Sequence, residues 1–271
     1  MRKVNSYELM QLCARAGVID QSALFKSTLR RQLPIHHAVE FVSEFDVLIN
    51  YPVKNPQKIK TLVITSEEVF FSTATTKSLL HYRMRHAVFD VSMVRCLKET
   101  IGLPVNCELS LCFGNWVAMH LSGVSSSKCS DWVALHRVVR ITKNQEQRRL
   151  FIFRDQLRLT LTVQEDFNRR FEKVCLMSTI ELEALHCLYH EAGVDDHELL
   201  ICANILRQND YRFARACELV RAHQVGEFLE LFDLVAIRQI CHHPEYEVIS
   251  STFEDSEYYF VSRLRRKRSF S

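Results

Sequence analysis

Ten cysteines and twelve histidines could supply thiolate nucleophiles, imidazole bases or zinc ligands, so their spacing comes first. No Cys-x-x-Cys pair occurs, and thiols sit inside apolar runs such as Leu111-Cys112-Phe113. A reduced cysteine in such a run behaves as a small buried hydrophobe. His186 and His190 share a helix face at i, i+4 with Cys187 beside them. A structural zinc site needs four ligands, however, and no second pair has ligand spacing. Cys129 with His120 or His136 could make a nucleophile and base. Against that, the chain contains no Gly-x-Ser-x-Gly, Gly-x-Gly-x-x-Gly or His-Glu-x-x-His, and its six glycines are few for a cofactor-cradling loop. The expectation is a non-enzymatic protein with no metal and no cofactor.

A second chemistry is open to the arginines. Guanidinium groups bind phosphates bidentately and enter narrow, negative minor grooves. Lys77, Arg83, Arg85, Arg137, Arg140, Arg148, Arg149 and Arg158 cluster over the strand-rich part and are the candidate DNA-binding residues. The alternative for each one singly is a solvated surface charge. Net charge is only +3 but unevenly spread. Residues 1–180 carry 25 Lys and Arg against 16 Asp and Glu, whereas 181–260 carry 5 against 16. The last eleven residues return +5 through Arg263, Arg265, Arg266, Lys267 and Arg268. A basic body joined to an acidic part suggests a polyanion-binding unit and a separate interaction unit.

The elements that would position these groups are legible in outline. Apolar spacing predicts a helix over 7–31, stopped by Pro34, and strands over 39–49 and 60–71. From Leu79 to Ile101 the spacing is helical, with Arg83 and Arg85 in its opening turns. Val117–Leu121 and Trp132–Val138 read as strands, with Trp116 and Trp132 in the core. Leu150–Phe153 and Leu157–Val163, joined at Asp155-Gln156, form the clearest hairpin, with Arg158 and Thr160 facing outward. Helices are expected over 165–177, 179–192, 196–208, 211–224 and 227–241, with Gly193 as a C-cap. The fold class is therefore α+β: an antiparallel β-rich body with flanking helices, followed by an all-α bundle. The expected domains are a basic body at 1–178, an acidic helical interaction domain at 179–249, and a tail with a basic end at 250–271.

The order of elements resembles the ComK family of competence transcription factors. The resemblance covers roughly residues 40–178. It rests on Pro104-Val105, Val117 to Leu121, the polar loop Ser125 to Ser127, Cys129 with Trp132, the strand pair Phe151 to Val163, and Phe167-Asn168-Arg169-Arg170. The upstream Ser78-Leu79-Leu80-His81-Tyr82-Arg83 is similar to the family's Gly-Ser-Ser…Gly-Arg segment but lacks both glycines. The turn Arg154-Asp155-Gln156 lacks the family's Asn-Gly, and the helical part after residue 180 is longer than the family's usual tail.

The resemblance implies a transcriptional activator of competence genes that binds AT-rich duplex DNA through minor groove and phosphates, as a homo-oligomer. It also implies control by a protease adaptor. A non-enzymatic protein-interaction or adaptor role is the alternative. No run approaches the roughly 20 apolar residues needed to span a bilayer, and Met1 to Ser6 lead into a polar helix, so a cytoplasmic protein without membrane partners is expected.

Overall fold

The computed structural model describes residues 4–37, 44–51, 57–85, 91–102, 111–122, 129–145, 147–193, 204–208, 210–223, 226–228, 230 and 233–234. Asn5 opens helix α1 (Ser6–Cys13) with a capping box: its side chain accepts the Glu8 N–H at 2.9 Å, and the Glu8 carboxylate takes the Asn5 N–H at 3.3 Å. The single helix expected over 7–31 does not form. Ala16 and Gly17 sit at φ 51° and 74°, a left-handed turn that cannot continue a right-handed helix. After it come strand β1 (Ile19–Asp20), a 3-10 turn over Gln21–Phe25, and helix α2 (Ser27–Gln32).

Seven strands follow in one sheet: β2 (Ile35–His36), β3 (Val47–Asn50), β4 (Thr61–Ile64), β5 (Val69–Ser72), β6 (Leu111–Phe113), β7 (Trp116–His120) and β8 (Trp132–Ala134), in the order β2-β5-β4-β3-β8-β7-β6. The strand expected over 60–71 is two strands. Thr65 reverses the chain, donating its N–H to Glu68 O and accepting the Glu68 N–H on Oγ1. The strand expected over 39–49 is seen as β3 alone; residues 38–43 lie outside the described ones. The strand expected over Trp132–Val138 is interrupted by a 3-10 turn at Leu135–Arg137, because the chain leaves one sheet there and enters the next. That second sheet holds β9 (Val138–Gln145), β10 (Arg148–Phe153) and β11 (Arg158–Thr162), with β1 along its edge, in the order β1-β11-β10-β9. Both sheets are antiparallel except for one parallel edge strand each, β1 on β11 and β2 on β5.

Helices α3 (Thr76–Arg85) and α4 (Val91–Thr100) replace the single helix expected over 79–101; residues 86–90 between them are outside the described ones. Arg83 and Arg85 therefore lie in the last turn of α3, not in an opening turn. Helix α5 (Phe167–Glu191) is continuous where two helices are expected, so the expected division at 178/179 falls inside it. Ser178 Oγ donates to Gly114 O at 2.6 Å and Thr179 Oγ1 to Cys175 O at 2.9 Å, so neither hydroxyl breaks the backbone ladder. Gly193, at φ 68°, follows the C-cap Ala192 and ends the helix. Helix α6 (Ala214–Arg221) follows a 3-10 turn at Asp210–Phe213. Residues 204–208 form turns rather than the expected helix; 196–203, most of 227–241 and the tail 250–271 lie outside the described residues.

The fold is α+β. The seven-stranded sheet is buried on both faces, which explains its unbroken apolar runs. Val47, Ile49, Leu62, Ile64, Val117, Met119 and Val133 point into the main core, where they meet Phe151, Phe153, Leu159 and Leu161 of the second sheet and Phe167, Val174 and Met177 of α5. The alternate residues Leu48, Val63, Ala118, Trp132 and Ala134 point the other way, against Leu79 and Leu80 of α3. A third cluster joins Leu97 and Ile101 of α4, Ile180 of α5, Ala216 and Val220 of α6, and Phe228. Among the described residues no helix is long and apolar enough to cross a membrane.

Candidate nucleic-acid interface

The outer face of the second sheet gathers three of the candidate arginines. Ile152 of β10 pairs with Arg158 of β11 on one side and Arg140 of β9 on the other. Adjacent strands lie about 4.8 Å apart, so the two arginine backbones straddle the isoleucine at about 10 Å. Two residues along, Leu150 pairs with Thr160 and Thr142, and beyond it Arg148 pairs with Thr162 and Gln145. Arg140 and Arg158 are exposed, and Ile152 and Leu150 are half-buried between their neighbours. The face thus offers cationic forks over a short apolar strip, a surface able to take phosphates on the forks and a sugar or base edge between them. Thr160, expected outward, is buried because β1 pairs along β11 at that position and the 3-10 turn after β1 packs on the strand.

The remaining candidates are distributed differently. Arg148 pairs with Asp20 of β1 at the edge of the face. Burial works to raise the Asp20 carboxyl, but hydrogen bonds from Ser22 and the Arg148 guanidinium outweigh it and hold the group below its ordinary value. Arg149 points to the opposite face and is 7% exposed. It donates to Gln145 O at 3.1 Å and Arg148 O at 3.2 Å, and stands 5.8 Å above the Phe167 ring. Arg137 is half-buried and donates Nε to Asp46 Oδ1 at 2.9 Å. Lys77 is exposed on α3, whose core cluster, among the described residues, holds none from the second sheet. The side chains of Arg83 and Arg85 lie outside the described ones. The structure therefore brings together Arg140, Arg148 and Arg158, and does not bring Lys77 or Arg149 to that face.

Several polar residues that the sequence did not flag hold the interior. Arg170, in the stretch Phe167-Asn168-Arg169-Arg170, is buried and donates to Gln164 Oε1 at 2.8 Å and to His120 Nδ1 at 2.7 Å. Asp131 is pushed up by burial, offset by the Asn50 N–H and by Gln21 Nε2, which it accepts at 2.7 and 2.6 Å. Glu181 is buried in α5 and pushed up to about 8, chiefly by loss of water; the Gly114 N–H at 2.9 Å and Lys98 pull the other way. Glu181 continues the buried i, i+3 and i, i+4 stripe of α5, a placement that helical spacing could have revealed.

The thiol and imidazole groups are spread through the structure. His136 Nδ1 lies 3.2 Å from the backbone of Val117 and its ring leans on Trp116, while His120 is held by Arg170. His186, Cys187 and His190 lie along the last turns of α5. Among the described residues no group of three His, Cys, Asp or Glu side chains could hold a metal ion. No protein-family model, curated protein or solved structure matches the chain.

Proposed function

We propose that this chain is a duplex-DNA-binding regulator of the ComK type, acting as a cytoplasmic homo-oligomer on AT-rich sites. The observation that carries the reading is the row Arg140–Ile152–Arg158 on the open face of the second sheet, with Arg148 beside it. Phosphate binding supplies most of the affinity of such a surface, and an arginine reaching into a narrow minor groove supplies the AT preference. The described segments behind the family resemblance also pack together; Pro104-Val105 and Ser125 to Ser127 lie outside the described residues. Trp132 and Val117 to His120 are neighbours in the first sheet, and Phe151 meets Phe167 edge-on at 6.0 Å. Transcriptional activation of competence genes and capture by a protease adaptor follow from the resemblance and belong to the same proposal.

A protein-interaction role is the second reading. It is favoured by the exposed Leu188 and Tyr189 near the end of α5 and Leu219 on α6, where the chain is acidic. Fluorescence anisotropy with labelled AT-rich and GC-rich duplexes separates the two. The DNA reading expects tighter binding to the AT-rich duplex, and at least a tenfold weakening when Arg140 and Arg158 are both replaced by Ala, about 1.4 kcal/mol. Equal, weak binding of both duplexes that the double variant leaves unchanged favours the interaction module.

A further inference from the structure

β9 ends the strand order β1-β11-β10-β9, so one side of it has no strand partner among the described residues. The ladder fixes which of its backbone groups face that side. At the two ends of the hairpin the Phe153 N–H donates to Leu157 O and the Val163 N–H to Gln147 O, both at 2.9 Å. Odd-numbered residues of β10 therefore bond to β11. The even-numbered Ile152 and Leu150 bond to their β9 partners, Arg140 and Thr142. Alternation then turns the N–H and C=O groups of Ile141 and Lys143 outward.

The chain itself covers the start of this edge. The Ile205 N–H donates to Val138 O and Gln208 Nε2 to Val139 O, each at 3.0 Å. Cover stops there: among the described residues no backbone group bonds to the outward side of Ile141 or Lys143. Val139 and Asn144 are skipped in the pairing with β10, so a bulge bounds the regular stretch Arg140–Lys143 at each end. What remains is a short, open and regular edge with a row of unpaired donors and acceptors, the feature that takes up another strand.

We infer that this stretch pairs antiparallel with the same stretch of a second copy of the chain, about a two-fold axis at Thr142. Outward groups meet outward groups in a register centred on Ile141, Thr142 or Lys143. Centring on Ile141 sets Lys143 against Val139, whose carbonyl already accepts from Gln208. Centring on Lys143 sets the two lysines face to face. Centring on Thr142 joins Ile141 of each copy to Lys143 of the other and satisfies every outward group of the stretch. It sets the exposed Arg140 against the exposed Asn144, with no like charges opposed, and brings the two threonines together, a pair that sheets favour. The two second sheets become one, and the face carrying Arg140 and Arg158 runs on from copy to copy. The seam is short, so the dimer forms as concentration rises rather than being obligate. The inference rests on the homo-oligomer of the proposed reading, for which it supplies the interface, and not on DNA binding.

The test is sedimentation velocity of the full chain over a range of concentrations, without nucleic acid. The wild type should pass from monomer towards dimer as concentration rises. Lys143→Pro removes one outward N–H and leaves the β9–β10 ladder whole, so its dimer should dissociate at least about tenfold more readily with an unchanged melting temperature. Thr142→Cys gives a second readout should that variant fail to fold. Thr142 of the two copies would form a non-hydrogen-bonded pair with Cα atoms about 4.5 Å apart, within the span of a disulfide. Under oxidised glutathione, which is reduced as the two thiols join, this variant should cross-link to a dimer beyond any seen for the wild type. A wild type that stays monomeric, a dimer that Lys143→Pro leaves as strong, or no cross-link beyond wild type each overturns the interface. Loss of DNA binding with the dimer intact would overturn the nucleic-acid reading alone.

Discussion

Arg148 and Arg149 are neighbours in the chain with opposite surroundings, and the pleat alone separates them. Successive side chains of a strand point to opposite faces, so Arg148 joins Arg140 and Arg158 outside while Arg149 is laid over Phe167 inside. That division was legible in the alternation of the hairpin, because 148, 150, 152 and 158, 160, 162 share a parity. The partners of the arginines were not, since Asp20 and Asp46 come from segments about 90 to 130 residues away in sequence. Glu181 carries a residue-scale prediction. Its folded pKa is raised from 4.5 to about 8, so the stability it contributes is fully present below pH 4.5 and is lost as pH rises through 8. Glu181→Gln keeps the acceptor for the Gly114 N–H and removes the ionisation. Thermal melts should coincide with wild type at pH 4 and lose less than wild type between pH 4.5 and 8, with the two running parallel above that. Curves parallel over the whole range would mean that Glu181 ionises freely.

At the scale of elements, the hairpin β10–β11 and the end of α5 at Gly193 follow their sequence signals closely, because period-two alternation and a helix-ending glycine are local facts. The first thirty residues do not, because the left-handed turn at Ala16–Gly17 divides a span whose apolar spacing is helical throughout. The continuity of α5 was hidden by Ser178 and Thr179, two poor helix formers whose hydroxyls are satisfied by Gly114 O and Cys175 O. Gly114 is the other half of that joint. It turns β6 into β7 at φ 54°, and a Cβ there would come within 3.0 Å of Leu185 Cδ1 on α5. Gly114→Ala is expected to cost about 1–2 kcal/mol from the left-handed backbone alone. Urea denaturation measures it, and an unchanged midpoint would contradict the tight joint between this turn and the helix.

Across the whole molecule, the charge contrast between residues 1–180 and 181–260 suggests two units, yet the described core crosses that line. Ile205 and Leu206 belong to the cluster that holds Phe151 and Val47, and Leu182, the second residue past the charge boundary, is buried. Removing residues 181–271 is therefore expected to yield a product without a cooperative unfolding transition, because it takes Ile205 and Leu206 out of the main core and cuts α5 short. A soluble truncated body with a sharp melt would instead show the later helices to be an appended unit. Charge pattern reads out surfaces; burial decides what folds together, and only the folded chain displays it.

On the proposed reading, the open face of the second sheet binds a phosphate backbone through Arg140 and Arg158. Counterion release makes this directly measurable, because each neutralised phosphate adds about 0.9 to the slope of log K against log salt for duplex DNA. Anisotropy titrations of the wild type and of Arg140→Ala/Arg158→Ala, run from about 50 to 200 mM salt, give that slope. The wild-type slope should be steep and become shallower by about two units in the double variant, with an unchanged melting temperature because both side chains are exposed. Identical slopes for the two proteins would contradict it.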